Sequence, residues 1–479
     1  MREPLPIARR GLLRGAAAAA AGLLARSRAR AQAGADALLT VDDRDAGRPI
    51  APDFVGLSYE SAILAAGDYF TPDNASVLGL IRRLGPNGVL RIGGNTSERT
   101  VWRTQAERAA DGSFVITPAS IDRLAACLRI LGWKLIYGLN LAHGTPEEAA
   151  AEAAYVTHAV GANLLAFQIG NEPDGFGRWA GARPESYDAP AFLAEWRRFH
   201  AAVRARVPDA RFAGPDVAAE TGWVAALAEA KPDGLVLLTR HYYADGPAGA
   251  PLISLAKLLR SDGQAAPVLD KLSDYAHAYH LPWRIAEVNS IYGEGQPGVS
   301  DTLGAALWGV EFMFQVATAG AAGINLHAGV HNLHSDRDKA YTPIARGTGG
   351  RHRATPLYYG MLMFAQAARG ALVPVRLVSE LDGLRTFAVR TPESVVRVCL
   401  INKDAMRTAR ATIDMGRRVV APSVMRLAGP AADATAGITL GGVSIDDFGQ
   451  WAGATQEIVP IANQLRVDVP AMSAALVSG

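Results

Sequence analysis

Cysteine is nearly missing from this chain: Cys127 and Cys399 are the only two in 479 residues. Two thiols in separate predicted elements, among Leu124, Ala125 and Ala126 and among Val396, Val398 and Leu400, exclude a disulfide-stapled scaffold and read as buried free thiols. No Cys/His spacing resembles a zinc site, so neither a metal nor another cofactor is expected. An excess of charge of one sign is lacking too. The formal net charge is +2, and the first 33 residues hold seven arginines against Glu3, which leaves the remainder at −4. No basic arm with interleaved aromatics stays behind, and nucleic acid is excluded as a partner on that ground. Long hydrophobic runs are absent as well. The stretch from Gly15 to Ala25 is shorter than the roughly 20 apolar residues a spanning helix needs, so no membrane span is expected. With 49% hydrophobic and 20% charged residues, the composition is that of a folded globular enzyme.

The N-terminus follows a different pattern. Arg9-Arg10-Gly11-Leu12-Leu13-Arg14 precedes that small apolar run, and Ala31-Gln32-Ala33 follows it. A basic start, a short apolar core and an A-x-A-like site describe a cleavable export signal over residues 1–33. The paired arginines point to the bacterial twin-arginine route, hence to a periplasmic or secreted protein. The competing reading is a frayed basic helix.

From about residue 54 to 330, short apolar runs alternate with stretches of helical period. The runs are Phe54–Tyr59, Val89–Gly94, Lys134–Asn140, Leu165–Glu172, Arg211–Val217, Leu235–Tyr243, Trp283–Asn289 and Gly323–Gly329. Between them lie Ile121–Ile130, Pro146–Val160, Ala189–Val207 and Thr302–Ala319, rich in Ala, Leu, Glu and Arg. Strand–helix alternation repeated eight times predicts an α/β fold, a (β/α)8 TIM barrel, which takes about 250 residues. A doubly wound sheet is the competitor. It calls for a glycine-rich phosphate turn after the first strand, where this chain has Leu57-Ser58-Tyr59-Glu60. Beyond about residue 370 the runs become short and alternating, separated by Gly, Pro, Asp or Asn, which predicts a C-terminal β-sandwich. The expected division is 34–50 as an N-terminal strand joining the sandwich, 51–368 as the catalytic barrel and 369–479 as the sandwich domain.

In such a barrel the active site lies at the C-terminal ends of the strands. The polar residues expected there are Tyr59 and Glu60, Asn95, Asn140, Asn171 and Glu172, Asp216, His241 to Tyr243, Glu287 and Asn289, and His327. Two acids stand out because apolar strands deliver them: Glu172, from Phe167-Gln168-Ile169-Gly170-Asn171-Glu172-Pro173, and Glu287, from Trp283-Arg284-Ile285-Ala286-Glu287. Glycoside hydrolysis needs two carboxyl groups flanking the bond, and a retaining pair stands roughly 5–5.5 Å apart. Strands four and seven face each other across the mouth, so their two extended side chains can close to that separation. The competing reading is a pair of carboxylates solvated at strand ends.

At these residues the chain resembles the heparanase/β-glucuronidase family, glycoside hydrolase family 79 of the 4/7 (β/α)8-barrel superfamily. The matching stretches are Gly170-Asn171-Glu172-Pro173, Arg240-His241-Tyr242-Tyr243, Glu287-Val288-Asn289-Ser290-Ile291-Tyr292-Gly293, Val299-Ser300-Asp301-Thr302 and Val469-Pro470-Ala471-Met472-Ser473-Ala474-Ala475-Leu476-Val477. The resemblance implies a (β/α)8 barrel carrying a β-sandwich and a retaining hydrolase that releases β-linked glucuronic acid. It makes Glu172 the acid/base and Glu287 the nucleophile. It implies that Asn171 binds the sugar 2-hydroxyl, that Tyr243 holds the nucleophile and that Glu60 accepts from sugar hydroxyls. It also implies that the backbone of Gly293, Glu294 and Gly295, with Tyr292, receives the uronate carboxylate. Asn95 and His241 are further substrate-binding candidates, and His327 and Tyr341 are candidate donors from the last strand and its loop.

The turn has a reason of its own. A uronate brings an anion beside two catalytic carboxyls, and successive N–H groups of a Gly-rich turn offset the repulsion. Here that turn reads Tyr292-Gly293-Glu294-Gly295, with an acid where the family often has more glycine. The loop 330–355 carries Arg337, Arg346, Arg351, His352 and Arg353. It is either a solvated surface loop or a lid over an anionic substrate. The expected partner is thus a glucuronic-acid-containing glycan or glycoside. Two alternatives stay open: a retaining barrel glycosidase for a neutral sugar, and a carbohydrate-binding protein with a degenerate site.

Overall fold

The computed structural model describes residues 34–105, 112–260, 265–329, 338–461 and 464–479. The expected export signal and Arg337 lie outside the described residues.

Eight parallel strands close into a barrel in chain order. They are β1 (Val55–Glu60), β2 (Val89–Gly93), β3 (Lys134–Leu139), β4 (Leu164–Ile169), β5 (Phe212–Val217), β6 (Leu235–Asp245), β7 (Trp283–Ile291) and β8 (Gly323–His327). All eight runs read from the sequence are barrel strands. The fourth ends three residues earlier than expected, because Gly170 turns the chain with φ 90° and Glu172 sits in the left-handed region with φ 49°. Glu172 therefore stands on the loop above β4 rather than on the strand. Helices are fixed at their starts by the residues that sequence rules favour. Thr117 and Thr145 each precede a proline and accept the backbone N–H three residues on, from Ser120 and Glu148.

Alternation along each strand layers the barrel interior. Val89, Ile136, Ala166, Ala213 and Leu237 form one small apolar cluster that plugs the barrel. Two residues further on, the same inward-facing positions carry Arg91 on β2, Gln168 on β4 and Thr239 on β6. The outward positions of β2 and β3, Leu90, Ile92, Leu135 and Tyr137, join the much larger core beneath the helices.

The sandwich is built from two sheets. One runs Val375–Ser379, Ala35–Val41, Ala409–Asp414, Gln464–Val469; the other is centred on Leu384–Arg390, Val396–Asn402, Ser473–Ser478 and Ser423–Ala428. The N-terminal strand pairs antiparallel with Val375–Ser379 and parallel with Ala409–Asp414. Leu39, Val398, Leu400, Ile413 and Leu465 fill the space between the sheets.

Helix Pro356–Ala367 was not foreseen. It is almost wholly apolar and buried on all sides, so no polar face marks its period. It packs on helix Leu303–Thr318 through glycine: a Cβ at Gly360 would stand 2.3 Å from the Ala306 carbonyl oxygen. The seam between barrel and sandwich stacks Phe314 on Phe387 at 4.6 Å between ring centroids. It also buries Glu311 against Lys403 at 2.5 Å and Arg385 at 3.3 Å. Cys127 and Cys399 are free and buried, as read from their apolar neighbours. No helix among the described residues is long and apolar enough to cross a membrane.

Candidate active site

The polar layer at the top of the barrel is organised around Arg91, whose side chain is 1% exposed. A guanidinium this deep must find anionic or carbonyl partners, and it does. Its Nη1 donates to Glu287 Oε2 at 2.6 Å and to Ser58 Oγ at 3.1 Å. Nη2 donates to Asn171 Oδ1 at 2.7 Å and pairs with Asp216, while Nε donates to Gln168 Oε1 at 3.0 Å. Gln168 in turn donates to Asp216 Oδ1 at 2.6 Å. One arginine thus ties β1, β2, β4, β5 and β7 together beneath the two glutamates.

Glu287 is 6% exposed. Its Oε1 accepts from the Tyr243 hydroxyl at 2.7 Å and its Oε2 from Arg91. Burial opposes its ionisation, but the charges of His241 and Arg91 and the Tyr243 hydroxyl crowd around it and hold its carboxyl well below the usual carboxylate range. Glu172 moves the opposite way. Burial raises it, the charges of Glu287 and Asp174 add to that rise, and the contact with His241 only partly offsets it. One carboxyl is therefore set to be ionised and the other to hold a proton.

His241 lies between acids. Its Nδ1 stands 2.9 Å from Glu172 Oε1 and its Nε2 3.0 Å from Asp216 Oδ2. Burial alone would lower its pKa, but Asp216, Glu287 and Glu172 outweigh that and push it up to about 10. The acids therefore favour an imidazolium, with Nδ1 facing Glu172 and Nε2 closer to Asp216 than to Arg91 Nη2, which lies at 3.3 Å. One oxygen each of Glu172 and Glu287 and one nitrogen of His241 lie within 4.8 Å of one another. A protonated ring offers no lone pair, and its Nδ1 faces Glu172 while standing 3.9 Å from Glu287 Oε2, so the trio is not a cation's donor set. His241, a substrate-binding candidate from the sequence, is 1% exposed and contacts Glu172 and Asp216.

Buried carboxylates fix the loops above the strands. Glu98 accepts from the backbone N–H of Leu141, Ala142 and Asn171 at 2.9, 2.6 and 2.5 Å, although burial still raises its pKa to about 7. Asp174 accepts from Ala218, Ala219 and Glu220 at 2.8–3.0 Å, and the Glu172 N–H donates to the Asp216 carbonyl at 2.9 Å. This bracing holds Asn171 and Glu172 in place, Glu172 in a backbone region costly for a non-glycine residue. Asn171 also donates to Asn95 Oδ1 at 3.1 Å, placing that predicted residue beside it.

The other predicted residues divide into two groups. Glu60 lies at the first strand end, accepting from Thr96 N–H and hydroxyl at 2.9 and 2.8 Å and from Lys339 at 3.2 Å. His327 is 1% exposed, with Nδ1 3.0 Å from Ser58 Oγ and Nε2 3.0 Å from Lys339 Nζ. Tyr341 is 2% exposed and its ring packs 6.1 Å from that of Tyr243. Across the mouth, Gly293, Glu294 and Gly295 all take positive φ, 78°, 76° and 83°. The Glu294 carbonyl accepts from Ala340 N–H at 2.7 Å, and Tyr292 is 46% exposed. A Cβ at Gly295 would stand 2.7 Å from the Tyr341 nitrogen, so glycine is required there.

The sequence reading missed Arg91, Gln168, Ser58, Glu98 and Lys339 as site residues. A charged residue within Val89-Leu90-Arg91-Ile92-Gly93 was the available signal for the first, since a strand buried on both faces cannot leave an arginine unpaired.

No family model matches the chain. It is 27% identical over 407 residues to a β-glucuronidase of Aspergillus niger, covering 75% of this chain and 73% of that protein. It is 24% identical over 431 residues to a β-glucuronidase of Neurospora crassa, covering 77% and 75%. Among solved structures, the 4-O-α-L-rhamnosyl-β-D-glucuronidase of Fusarium oxysporum 12S superposes with a TM-score of 0.76 at 19% identity, over 92% of this chain and 100% of that one. The arabinofuranosidase of glycoside hydrolase family 51 from Xanthomonas axonopodis pv. citri reaches 0.64 at 16% identity, over 93% and 99%. At those identities the structures speak for the fold alone, whereas the sequence relatives narrow it. The chain is a glycoside hydrolase, and the curated relatives it resembles in sequence are β-glucuronidases.

Proposed function

We propose that this protein is a retaining β-glucuronidase or heparanase-like hydrolase of glycoside hydrolase family 79, releasing β-linked glucuronic acid by double displacement. The observation that supports it most is the opposed tuning of two carboxyls whose oxygens lie within 4.8 Å. That closeness favours a retaining pair, whose carboxyl groups stand roughly 5–5.5 Å apart, over an inverting pair, which must admit a water. Protonated Glu172 gives its proton to the leaving oxygen as ionised Glu287 attacks the anomeric carbon. The acyl-glycosyl bond formed removes the Glu287 charge, which lowers the affinity of Glu172 for a proton. Glu172 then takes one from the incoming water, and Glu287 leaves. Asn171, held by Arg91 through its carbonyl, presents its amide to the sugar 2-hydroxyl. Tyr292 and the left-handed turn Gly293–Gly295 receive the uronate, and Glu60 accepts from hydroxyls on the far side of the ring.

A mechanism-based 2-fluoro glucuronosyl fluoride tests this directly. It should label Glu287, with peptide mapping as the readout, and aryl β-glucuronide should be cleaved far faster than aryl β-glucoside. Labelling elsewhere, or faster glucoside turnover, overturns the reading. Preference for a neutral sugar is the second reading, favoured by the acid at Glu294 within the turn. Residues 1–33 are read as a twin-arginine-type signal for periplasmic or secreted delivery. Their replacement of Arg9 and Arg10 by lysines should abolish export of a tagged chain in a bacterial host, as cell fractionation would show.

A further inference from the structure

The two histidines beside Glu287 carry opposite protonation states, and Lys339 sets the difference. His241 faces carboxylates at both nitrogens. His327 has an ammonium, Lys339 Nζ, 3.0 Å from Nε2. An ammonium has hydrogens to give and no lone pair to accept with, so Nε2 must be the acceptor and the ring must be neutral. The single ring proton is then on Nδ1, where it donates to Ser58 Oγ at 3.0 Å. Carboxylates nevertheless surround this ring: Glu60 Oε1 lies 3.6 Å from Nε2 and Glu287 Oε2 3.6 Å from Nδ1. With Lys339 absent, both would favour a proton on Nε2.

We propose that Lys339 is a positioning residue for the nucleophile: by occupying His327 Nε2 it keeps that imidazole neutral, so that no third cation joins Arg91 and His241 against Glu287. This inference rests on Glu287 being the nucleophile. An imidazolium 3.6 Å from Glu287 Oε2 would add to the charge of Arg91 and hold the attacking electron pair back, which slows the first displacement. The groups facing the ring are Ser58 and Glu60 from β1, Glu287 from β7, Lys339 and Tyr341 from the loop after β8, and Arg91 of β2 acting through Ser58. Two anions favour the proton and two cations oppose it, with Lys339 in direct contact. Lys339 also neutralises Glu60 at 3.2 Å, which ties the sugar-facing end of β1 to the same ammonium.

The test is Lys339→Met, read as kcat/KM against pH on aryl β-glucuronide. His327 should now protonate as the pH falls, so activity should drop by about tenfold near pH 5 and by less than about twofold near pH 8. Lys339→Arg, which keeps a donor without an acceptor, should restore the acid limb. Glu60→Gln separates the two contacts, since a loss acting only through Glu60 would be matched by that variant with an unchanged acid limb. A loss equal at every pH, or none at any pH, overturns the proposal. Where Lys339→Met does not fold, nitrogen-15 NMR of the wild-type chain decides: Nε2 of His327, assigned with His327→Asn, should stay unprotonated down to about pH 5, and a doubly protonated ring at neutral pH overturns it. Labelling of Glu287 by the fluoro sugar tests the nucleophile independently, so failure of one claim is distinguishable from failure of the other.

Discussion

The barrel mouth and the seam under the sandwich both bury charges, and they use them differently. At the seam, Glu311 meets Lys403 and Arg385, and the arrangement is finished: one acid, two bases, each pointed at the other. At the mouth, Arg91 and His241 serve Asp216, Glu172 and Glu287 together, and no pair is exclusive. At the seam a single acid has no rival acid for its cations, and the cluster joins barrel helix to sandwich strand. Shared pairing at the mouth leaves the two carboxyls with unequal claims on a proton, which is what acid–nucleophile chemistry requires. Burial alone therefore does not distinguish a structural ion cluster from a catalytic one; competition of several acids for the same cations does.

The comparison breaks most sharply at the nucleophile. Glu287→Gln should lower kcat by about 10⁴-fold or more on every glucuronide. Glu172→Ala should do comparable damage only where the leaving group is poor, and added azide should rescue it. Steady-state kinetics on two aryl glucuronides of different acidity checks both. An equal loss on the two substrates from Glu172→Ala would remove its role as acid.

Next come the two ways of orphaning a buried acid. Arg91→Met takes the guanidinium from Asp216 and Glu287, and Lys403→Met leaves Glu311 with Arg385 and Gln315. Each should destabilise the chain by about 3–5 kcal/mol in denaturant titration. Only the first should also abolish turnover, while Lys403→Met keeps kcat/KM within about twofold. A catalytic defect in Lys403→Met would mean that the seam reaches the mouth.

His241→Asn sharpens the role of the shared cation. His241 lowers the pKa of both Glu172 and Glu287. Its loss should raise both, so the acidic limb of kcat/KM, set by Glu287 gaining a proton, and the basic limb, set by Glu172 losing one, should both move to higher pH, with a lower maximum. Movement of one limb alone would show that His241 serves a single carboxyl. The smallest effect belongs to the turn. Glu294 holds φ 76° without being glycine, so Glu294→Gly should stabilise by about 0.5–1 kcal/mol and lower KM for glucuronide. A raised KM would give the acid a part in binding.

Much of this was legible in the chain. The eight apolar runs carried polar residues at or beside their ends, and the acids read from the fourth and seventh lie within 4.8 Å of each other. What stayed hidden lay inside runs rather than at their ends. Arg91 and Gln168 sit at inward positions one layer below the mouth, where a sequence shows only a polar letter in an apolar word. Lys339 reaches Glu60 and His327 from a loop, across 279 and 12 residues, and no local pattern encodes such a contact. Helix Pro356–Ala367 escaped because it has no wet side. His241 and His327 looked alike as strand-end histidines, and only their neighbours make one charged and the other neutral.

The first strand of the sandwich has a consequence for how the chain is made. Ala37 lies opposite Ser379, and Ala35 beside Ala409, so the earliest described segment finds its neighbours only after the whole barrel has been synthesised. At about 5–20 residues per second that interval is on the order of half a minute. During it Ala35–Val41 has apolar side chains on one face and no sheet to join. The barrel must therefore be able to form ahead of its companion, with this strand held in waiting, and the sandwich sheet that contains it closes last. A chaperone that binds alternating apolar segments has its clearest opportunity there, and deletion of residues 35–41 should leave Ala409–Asp414 paired with Gln464–Val469 and strand Val375–Ser379 without a partner in that sheet.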